Sequence, residues 1–157
     1  MMRASGILLP ISSIPSNYGI GCFSKEAYAF VDQLAEAGQK YWQILPLGPT
    51  GYGDSPYQSF STFAGNPYFI DLEELIQRDL LTAAECAECD WGGSKSYVDY
   101  EKVYLSRFSL LRKAYRRFYQ MDGKEKELQL IREEMEAFEK EQGFWLSLIH
   151  ISEPTRR

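Results

Sequence analysis

The residues with the most useful chemistry lie together on one short stretch, residues 54–58, which reads Asp-Ser-Pro-Tyr-Gln. Its carboxylate, hydroxyl and amide groups can hydrogen-bond the hydroxyls of a ligand, and Tyr57 and nearby Tyr52 offer flat apolar faces for stacking. Gly51 and Gly53 would let the backbone approach a ligand closely. This combination suits a carbohydrate site, and it suits equally a rigid loop whose polar groups bond one another. From spacing alone, both interpretations stay open.

The other reactive side chains give weaker patterns. His150 is the single histidine of the chain, which argues against a Ser-His-Asp triad. Cys86 and Cys89 form a CxxC pair in a predicted helix with no second ligand pair, so structural thiols are favoured over zinc ligands. The glycines that flank Tyr52 lack the Lys-Ser/Thr of a phosphate-binding loop, which argues against that function.

The composition is that of an ordinary globular protein, with 157 residues, 45% hydrophobic and 25% charged. A net charge of −5 argues against broad binding to nucleic acids or anionic membranes. There is no signal-peptide pattern and no apolar run of the ~20 residues that a membrane span needs. We therefore expect a cytoplasmic protein, too short for a complete (β/α)8 barrel of about 250 residues.

The first elements of the chain must position this stretch. The apolar run at residues 7–9, stopped by a proline, predicts a buried strand, and residues 41–46 predict a second one. Between them, Ser24 as N-cap and Gly38 as stop delimit an amphipathic helix. A strand, a helix and a strand predict parallel pairing, and the long loop 48–67 then leaves the carboxyl end of a parallel strand, where α/β folds bind ligands.

The rest of the chain predicts helices. Residues 72–80 form a short helix, and Thr82 with Glu85 forms a capping box that begins another helix through about Cys89. Residues 101–121 carry an apolar stripe at positions 104, 108, 111, 115 and 118. The same spacing continues at 128, 131, 135 and 138, after a turn at Asp122 and Gly123. We therefore expect two antiparallel helices.

Residues 41–72 closely resemble the signature of the 4-α-glucanotransferases, the amylomaltases or disproportionating enzymes of glycoside hydrolase family 77. The resembling stretches are YWQILPLGPTGYGDSPYQSFS at 41–61, GNPY at 65–68 and IDL at 70–72. Residues 6–10 and the Val-Asp-Tyr at 98–100 continue the likeness, which covers about residues 4–146. It implies an α/β fold, the N-terminal part of a (β/α)8 TIM barrel in residues 1–75, with a mainly α-helical insertion in residues 76–146.

The resemblance also implies an activity. Such an enzyme moves a segment of a 1,4-α-D-glucan to a new position in an acceptor, glucose or another 1,4-α-glucan, and retains configuration through a covalent glycosyl-enzyme. Retention requires two carboxyl groups about 5–5.5 Å apart. In this family the catalytic carboxylates lie on later barrel strands, so we expect them beyond the end of this chain and expect this chain alone to be inactive. Asp54, Asp71, Glu73 and Glu74 are not substitutes.

Residue roles follow from the same resemblance. Tyr57 resembles the tyrosine that stacks on the donor sugar next to the cleaved bond, and Asp54 and Ser55 resemble its neighbours in that subsite. Tyr52 and Tyr100 resemble the pair at a secondary glucan-binding groove. The implied partners are α-1,4-glucans and maltooligosaccharides, with no nucleic acid or membrane, and neither a metal nor an organic cofactor is expected.

Residues 147–157 break the family pattern and the helical period, and we interpret them as a non-native tail of translated adapter or vector sequence rather than a divergent natural end. Two alternative functions stay open. One is a non-catalytic glucan-binding module that uses Tyr52, Tyr57 and Tyr100. The other is a helical interaction protein built on residues 101–146, which would leave loop 48–67 unexplained.

Overall fold

A computed structural model of the chain describes residues 3–51, 53–94, 96–121 and 126–152, with side chains given for 129–146 of the last range. Strand β1 spans Gly6–Leu8 and strand β2 spans Tyr41–Gln43, and helix α1, Lys25–Glu36, connects them. The strands pair in parallel, with Gly6 opposite Tyr41 and Leu8 opposite Gln43. The predicted strand–helix–strand unit with parallel strands is confirmed.

The expectation that the first strand is buried is wrong. The side chains of Ile7 and Leu8 are 41% and 57% exposed, and all three residues of β1 are classed as exposed. A parallel strand becomes buried only when elements cover both faces and neighbours pair at both edges. Here the described sheet has two strands, so most of its surface faces outward.

The helix α1 begins and ends close to the predicted residues. Ser24 has the extended backbone of an N-cap, but its hydroxyl donates to Glu26 at 2.6 Å instead of capping the helix. Only Ala27 is buried, and Phe30 meets Trp42 of β2 edge-on at 5.1 Å between ring centroids. The helix therefore packs on β2 through part of its predicted apolar face.

Four further helices follow, with bounds near those predicted. They are α2, Leu72–Gln77; α3, Ala83–Ala87; α4, Tyr100–Gln120; and α5, Lys126–Ser152, preceded along the chain by short 3-10 turns at Ile11–Ser13 and Pro67–Phe69. The capping box of α3 is confirmed, because Glu85 N donates to Thr82 Oγ1 at 3.3 Å and Thr82 N donates to Glu85 Oε2 at 2.9 Å. Asp99 likewise caps α4.

The main hydrophobic core lies where α2, α3 and α4 meet. Its buried residues are Leu72, Leu80, Leu81, Cys86, Leu110, Ala114 and Phe118. The apolar stripe predicted for α4 is confirmed in part, since Phe118 is buried and Phe108 and Leu111 pack against the two cores. The buried positions are Val103, Arg107, Leu110, Ala114 and Phe118. Tyr104 and Tyr115 are 48% and 59% exposed. A tyrosine can keep its hydroxyl in water, so the aliphatic residues one position earlier face the core.

The helix α5 packs beside the end of α4, as expected for neighbouring helices. Arg132 Nη2 donates to the carbonyls of Phe118 and Met121 at 2.8 Å each, and Ile131 and Met135 pack against the main core. The predicted turn at 122–123 and the side chain at 128 lie outside the described residues. Phe138, by contrast with the prediction, is 50% exposed.

The backbone of α5 continues to Ser152, so the expected break of the helical period at 147 is not seen in the backbone. That residues 147–157 are non-native stays a prediction. Within the described ranges, no helix combines the length and the apolar character needed to cross a bilayer.

Candidate functional site

Loop 48–67 leaves the carboxyl end of β2, as predicted, and closes on itself. Asn66 N donates to the carbonyl of Leu47 at 2.8 Å, which joins the two ends of the loop. Inside it, Thr50 and Ser59 form an antiparallel bridge, and Gln58 N donates to Ser55 O at 3.1 Å. The stretch singled out from sequence is therefore the tip of a closed loop.

The tip of the loop has an unusual backbone. Gly53 and Asp54 are both left-handed, with φ of 99° and 55°. Glycine adopts this conformation freely, and aspartate does so more readily than most residues. A Cβ added at Gly53 would meet no atom within 4 Å, so the backbone there borders open space, as a ligand would require.

Tyr57 is on the outside of this loop. Its side chain is 73% exposed, so the ring is available to a ligand rather than enclosed by packing. Ser55 is half-buried and its carbonyl accepts the turn hydrogen bond from Gln58. Tyr52, the fourth residue predicted on this loop, lies outside the described residues.

Beneath the loop is a cavity of about 120 Å³. It brings together Asp54 and Tyr100, two of the residues predicted from sequence, although 46 positions separate them along the chain. Tyr57 and Ser55 do not line it. The polar residues of its lining are Ser12, Thr50, Asp54, Asn66, Tyr68 and Tyr100.

The carboxylate of Asp54 dominates the electrostatics of this cavity. Partial burial raises the pKa of Asp54 above its ordinary value. Burial, followed by the charge of Asp54, raises the pKa of Tyr68 to about 12. Burial and the same charge raise the pKa of Tyr100, while a hydrogen bond with the Ser12 side chain opposes that shift. Asp54 therefore lies near enough to both tyrosines for its charge to raise their pKa values.

Four polar lining residues were missed by sequence reasoning, namely Ser12, Thr50, Asn66 and Tyr68. Ser12 follows β1, so it lies at the same edge of the parallel pair as loop 48–67, and this position was a usable signal. Tyr68 belongs to a stretch noted for its family likeness but was given no role. Thr50 had no distinguishing pattern, and its hydroxyl oxygen is buried without a hydrogen-bond partner among the described residues.

The other acidic candidates are held by structural contacts. Asp71 accepts from Glu73 N at 3.0 Å as the cap of α2, and Glu73 accepts from the hydroxyl of Tyr18 at 2.5 Å. Glu74 pairs with Arg78 at 2.8 Å. That none of them replaces a catalytic carboxylate stays a prediction.

The cysteines agree with a structural role. Cys86 is 1% exposed in the main core, and Cys89 Sγ donates to Glu85 O at 3.4 Å. Among the described residues, no group of three His, Cys, Asp or Glu side chains is arranged to hold a metal ion.

Comparison with known proteins bears on this loop and its surroundings. A family model described as 4-α-glucanotransferase matches residues 9–149. The 4-α-glucanotransferase of Streptococcus pneumoniae serotype 4 is 50% identical over 146 residues, which cover 93% of this chain and 27% of that protein. The 4-α-glucanotransferase of Thermus thermophilus is 46% identical over 144 residues, covering 92% of this chain and 27% of that protein.

A solved structure is similar as well. The amylomaltase from Streptococcus agalactiae in complex with acarbose matches with a TM-score of 0.79 and 40% identity, covering 91% of this chain and 28% of that chain. This chain therefore spans about a quarter of the length of the relatives it matches. Since the family match over residues 9–149 includes β2, loop 48–67 and helices α1 to α4, the chain belongs to the 4-α-glucanotransferase family, glycoside hydrolase family 77.

Proposed function

We propose that this chain is part of a 4-α-glucanotransferase that moves a segment of a 1,4-α-D-glucan to glucose or to another 1,4-α-glucan. The observation that carries the proposal is the family match over residues 9–149, because it includes the whole of loop 48–67. That loop leaves the carboxyl end of a parallel strand, which is the edge where barrel enzymes bind their substrates.

The proposed fold of the whole protein is a (β/α)8 barrel, with residues 1–75 as its first portion and residues 76–146 as a helical insertion. The exposed apolar side chains of the sheet support this, since Ile7, Leu8 and Tyr41 are 41%, 57% and 68% exposed. In a closed barrel, further strands would pair with these edges and further helices would cover these faces.

The proposed role of this chain is to bind the sugar. Tyr57 stacks on a glucose ring through its exposed face, and Ser55 and Asp54 belong to the same subsite. Tyr52 and Tyr100 contribute to a second groove for the glucan. A retaining transfer requires two carboxyl groups about 5–5.5 Å apart, and Asp71, Glu73 and Glu74 are engaged elsewhere. We infer that the catalytic carboxylates lie in the part of the relatives that this chain does not span.

A chimera tests the proposal. Residues 1–146 would replace the equivalent segment of the Streptococcus agalactiae amylomaltase, and disproportionation of maltotriose would be followed by chromatography. We expect the chimera to transfer glucan segments and its Tyr57→Ala variant to lose most of that activity, while Tyr97→Ala, an equally exposed tyrosine (71%), keeps it. A folded chimera without transfer would contradict the proposal.

Measurements on the isolated chain distinguish glucan binding from glucan transfer. We expect the chain alone to bind maltooligosaccharides without transferring them, and transfer by clean protein would contradict this. If the chimera binds glucan but transfers no glucan segment, the alternative function of a non-catalytic glucan-binding module is favoured. A cytoplasmic location stays a prediction.

A further inference from the structure

We propose that Asp54 is a positioning residue, whose carboxylate is joined through water in the 120 Å³ cavity to the hydroxyls of Thr50 and Tyr100 and thereby holds loop 48–67 in its binding conformation. This assigns to the Asp54 carboxylate a role in supporting the Tyr57 subsite from the inner side of the loop. The inference rests on the proposed function only in taking the loop as the glucan-binding element.

The cavity lies between three separate parts of the chain. Ser12 comes from the turn after β1, Thr50 and Asp54 come from the loop, and Tyr100 begins α4. At the tip of the loop, Asp54 N donates to Gly51 O at 3.2 Å, and this bond lies within the loop itself. Bonds across the cavity would therefore tie the tip to the remainder of the molecule.

The cavity suits water. Its volume of about 120 Å³ is well above the ~10–15 Å³ that a single water needs. A buried water needs two to four polar partners, and the lining offers a carboxylate, an amide and four hydroxyls. The buried Thr50 Oγ1 has no hydrogen-bond partner within the described residues, and leaving such an oxygen unpaired is costly. A water that bridges Thr50 to Asp54 would satisfy it.

The left-handed backbone at residue 54 determines which substitutions can test the carboxylate. Asp54 has a φ of 55° directly after Gly53 at 99°, and a left-handed residue that is not glycine persists when its surroundings hold it there. Asparagine also tolerates this conformation. Asp54→Asn therefore removes the charge with little change to the turn, and Asp54→Gly removes the carboxyl while relaxing the backbone.

A double-mutant cycle tests the proposal without any sugar. The unfolding midpoint of the full chain would be measured for Asp54→Asn, for Tyr100→Phe and for both together. Coupled residues give shifts that do not add, so we expect the shift caused by Asp54→Asn to shrink to less than half in the Tyr100→Phe background. In the background of Tyr97→Phe, whose ring is exposed outside the cavity, the shift should be unchanged.

Affinity for maltoheptaose gives the second measurement. We expect Asp54→Asn and Asp54→Gly each to weaken binding by about fivefold, the factor expected from the loss of one hydrogen bond. In the Tyr100→Phe background, we expect neither substitution to weaken binding any further. Additive shifts, no shift at all, or full affinity of Asp54→Gly would overturn the proposal. If the wild-type chain unfolds cooperatively and shows the coupling yet binds no maltoheptaose, the proposed function fails while the coupling through the cavity stands.

Discussion

Arg107 Nη2 donates a hydrogen bond to the carbonyl oxygen of Ile70 at 2.5 Å. The arginine is the largest fully buried side chain of the described residues, at 0% exposure, and it lies in the middle of α4. Burial lowers the pKa of Arg107, whereas the neighbouring Cys22 thiol and Asp71 oppose that shift. The bond joins the long helix to the segment that follows loop 48–67, so it links the helical part of the chain to the candidate site.

We predict that Arg107→Met costs about 1–3 kcal/mol of unfolding free energy, because the methionine fills most of the space but leaves the Ile70 carbonyl unpaired. Arg107→Ala should cost more, about 3–5 kcal/mol in all, since it also opens a cavity. Urea unfolding of both variants measures the difference. Arg116→Ala, on the exposed side of α4, is the control and should change stability by less than about 0.5 kcal/mol. Equal stability of wild type and Arg107→Ala would contradict this.

A second prediction concerns the ion pairs that join α3 to α4. Arg117 Nη2 and Lys113 Nζ lie 2.6 Å and 2.9 Å from Glu85 Oε1. Hydrogen bonds from Arg117 and then Lys113 hold the pKa of Glu85 well below its ordinary value. A carboxyl group whose pKa is lower in the folded state stabilises the fold above the pKa of the unfolded chain, and this stabilisation is lost as the pH falls.

We therefore expect Glu85→Gln to lower the melting temperature at pH 7, and the gap from wild type to narrow progressively below about pH 4.5, the ordinary carboxyl range. Melting curves from pH 7 to pH 2.5 measure it. Glu88→Gln, at an exposed position at the end of the same helix, should give no comparable gap at pH 7. A gap for Glu85→Gln that is constant or widens as the pH falls would contradict the ion-pair interpretation.

A third prediction concerns the contact between the loop and α5. The ring of Phe63 stacks on Trp145 at 6.0 Å and 21°, and meets Phe144 edge-on at 5.4 Å. Trp145 is 8% exposed, and Phe63 is one of the residues in contact with its ring. We expect Phe63→Ala to lower stability by about 0.5–1.5 kcal/mol and to shift tryptophan emission to longer wavelength as Trp145 meets water.

The control for this contact is Phe60→Ala, which removes a ring of similar exposure (56%) from the same loop. Its emission spectrum should match that of wild type. An unchanged spectrum of Phe63→Ala would show that the loop does not rest on α5.

Features set by local sequence could be predicted. The capping box of Thr82 and Glu85 needs only residues three apart, and the parallel pairing of β1 and β2 follows from one helical connection between them. The prediction that loop 48–67 leaves the carboxyl end of β2 is also confirmed. Each of these depends on short-range geometry that a single sequence contains.

Burial could not be predicted as well, because it depends on which elements later pack together. Ile7 and Leu8 form an apolar run, yet they are exposed where the described sheet has two strands. On α4 the buried face includes Arg107, which donates to the Ile70 carbonyl from within the core, and excludes Tyr115. The spacing of apolar residues alone predicts neither the exposure of β1 nor the buried face of α4.

Only part of the candidate site could be predicted, because the site too depends on which elements pack together. Asp54 and Tyr100 were both named, but the cavity that joins them also needs Ser12 and Tyr68. These residues are brought together by tertiary contacts between segments that are far apart along the chain. Tyr57, in contrast, could be named from the sequence of the loop alone, and its side chain is exposed in the structure.

The proposal that loop 48–67 binds glucan is tested most directly by calorimetric titration of the 157-residue chain with maltoheptaose. We predict saturable binding by wild type and a Kd about two- to tenfold higher for Tyr57→Ala, because the aromatic contact contributes ~0.5–1.5 kcal/mol. Tyr57→Phe, which keeps the ring, and Tyr97→Ala should bind like wild type. A flat titration with cooperatively folded protein, or an unchanged Kd for Tyr57→Ala, would contradict the assignment of this loop to glucan binding.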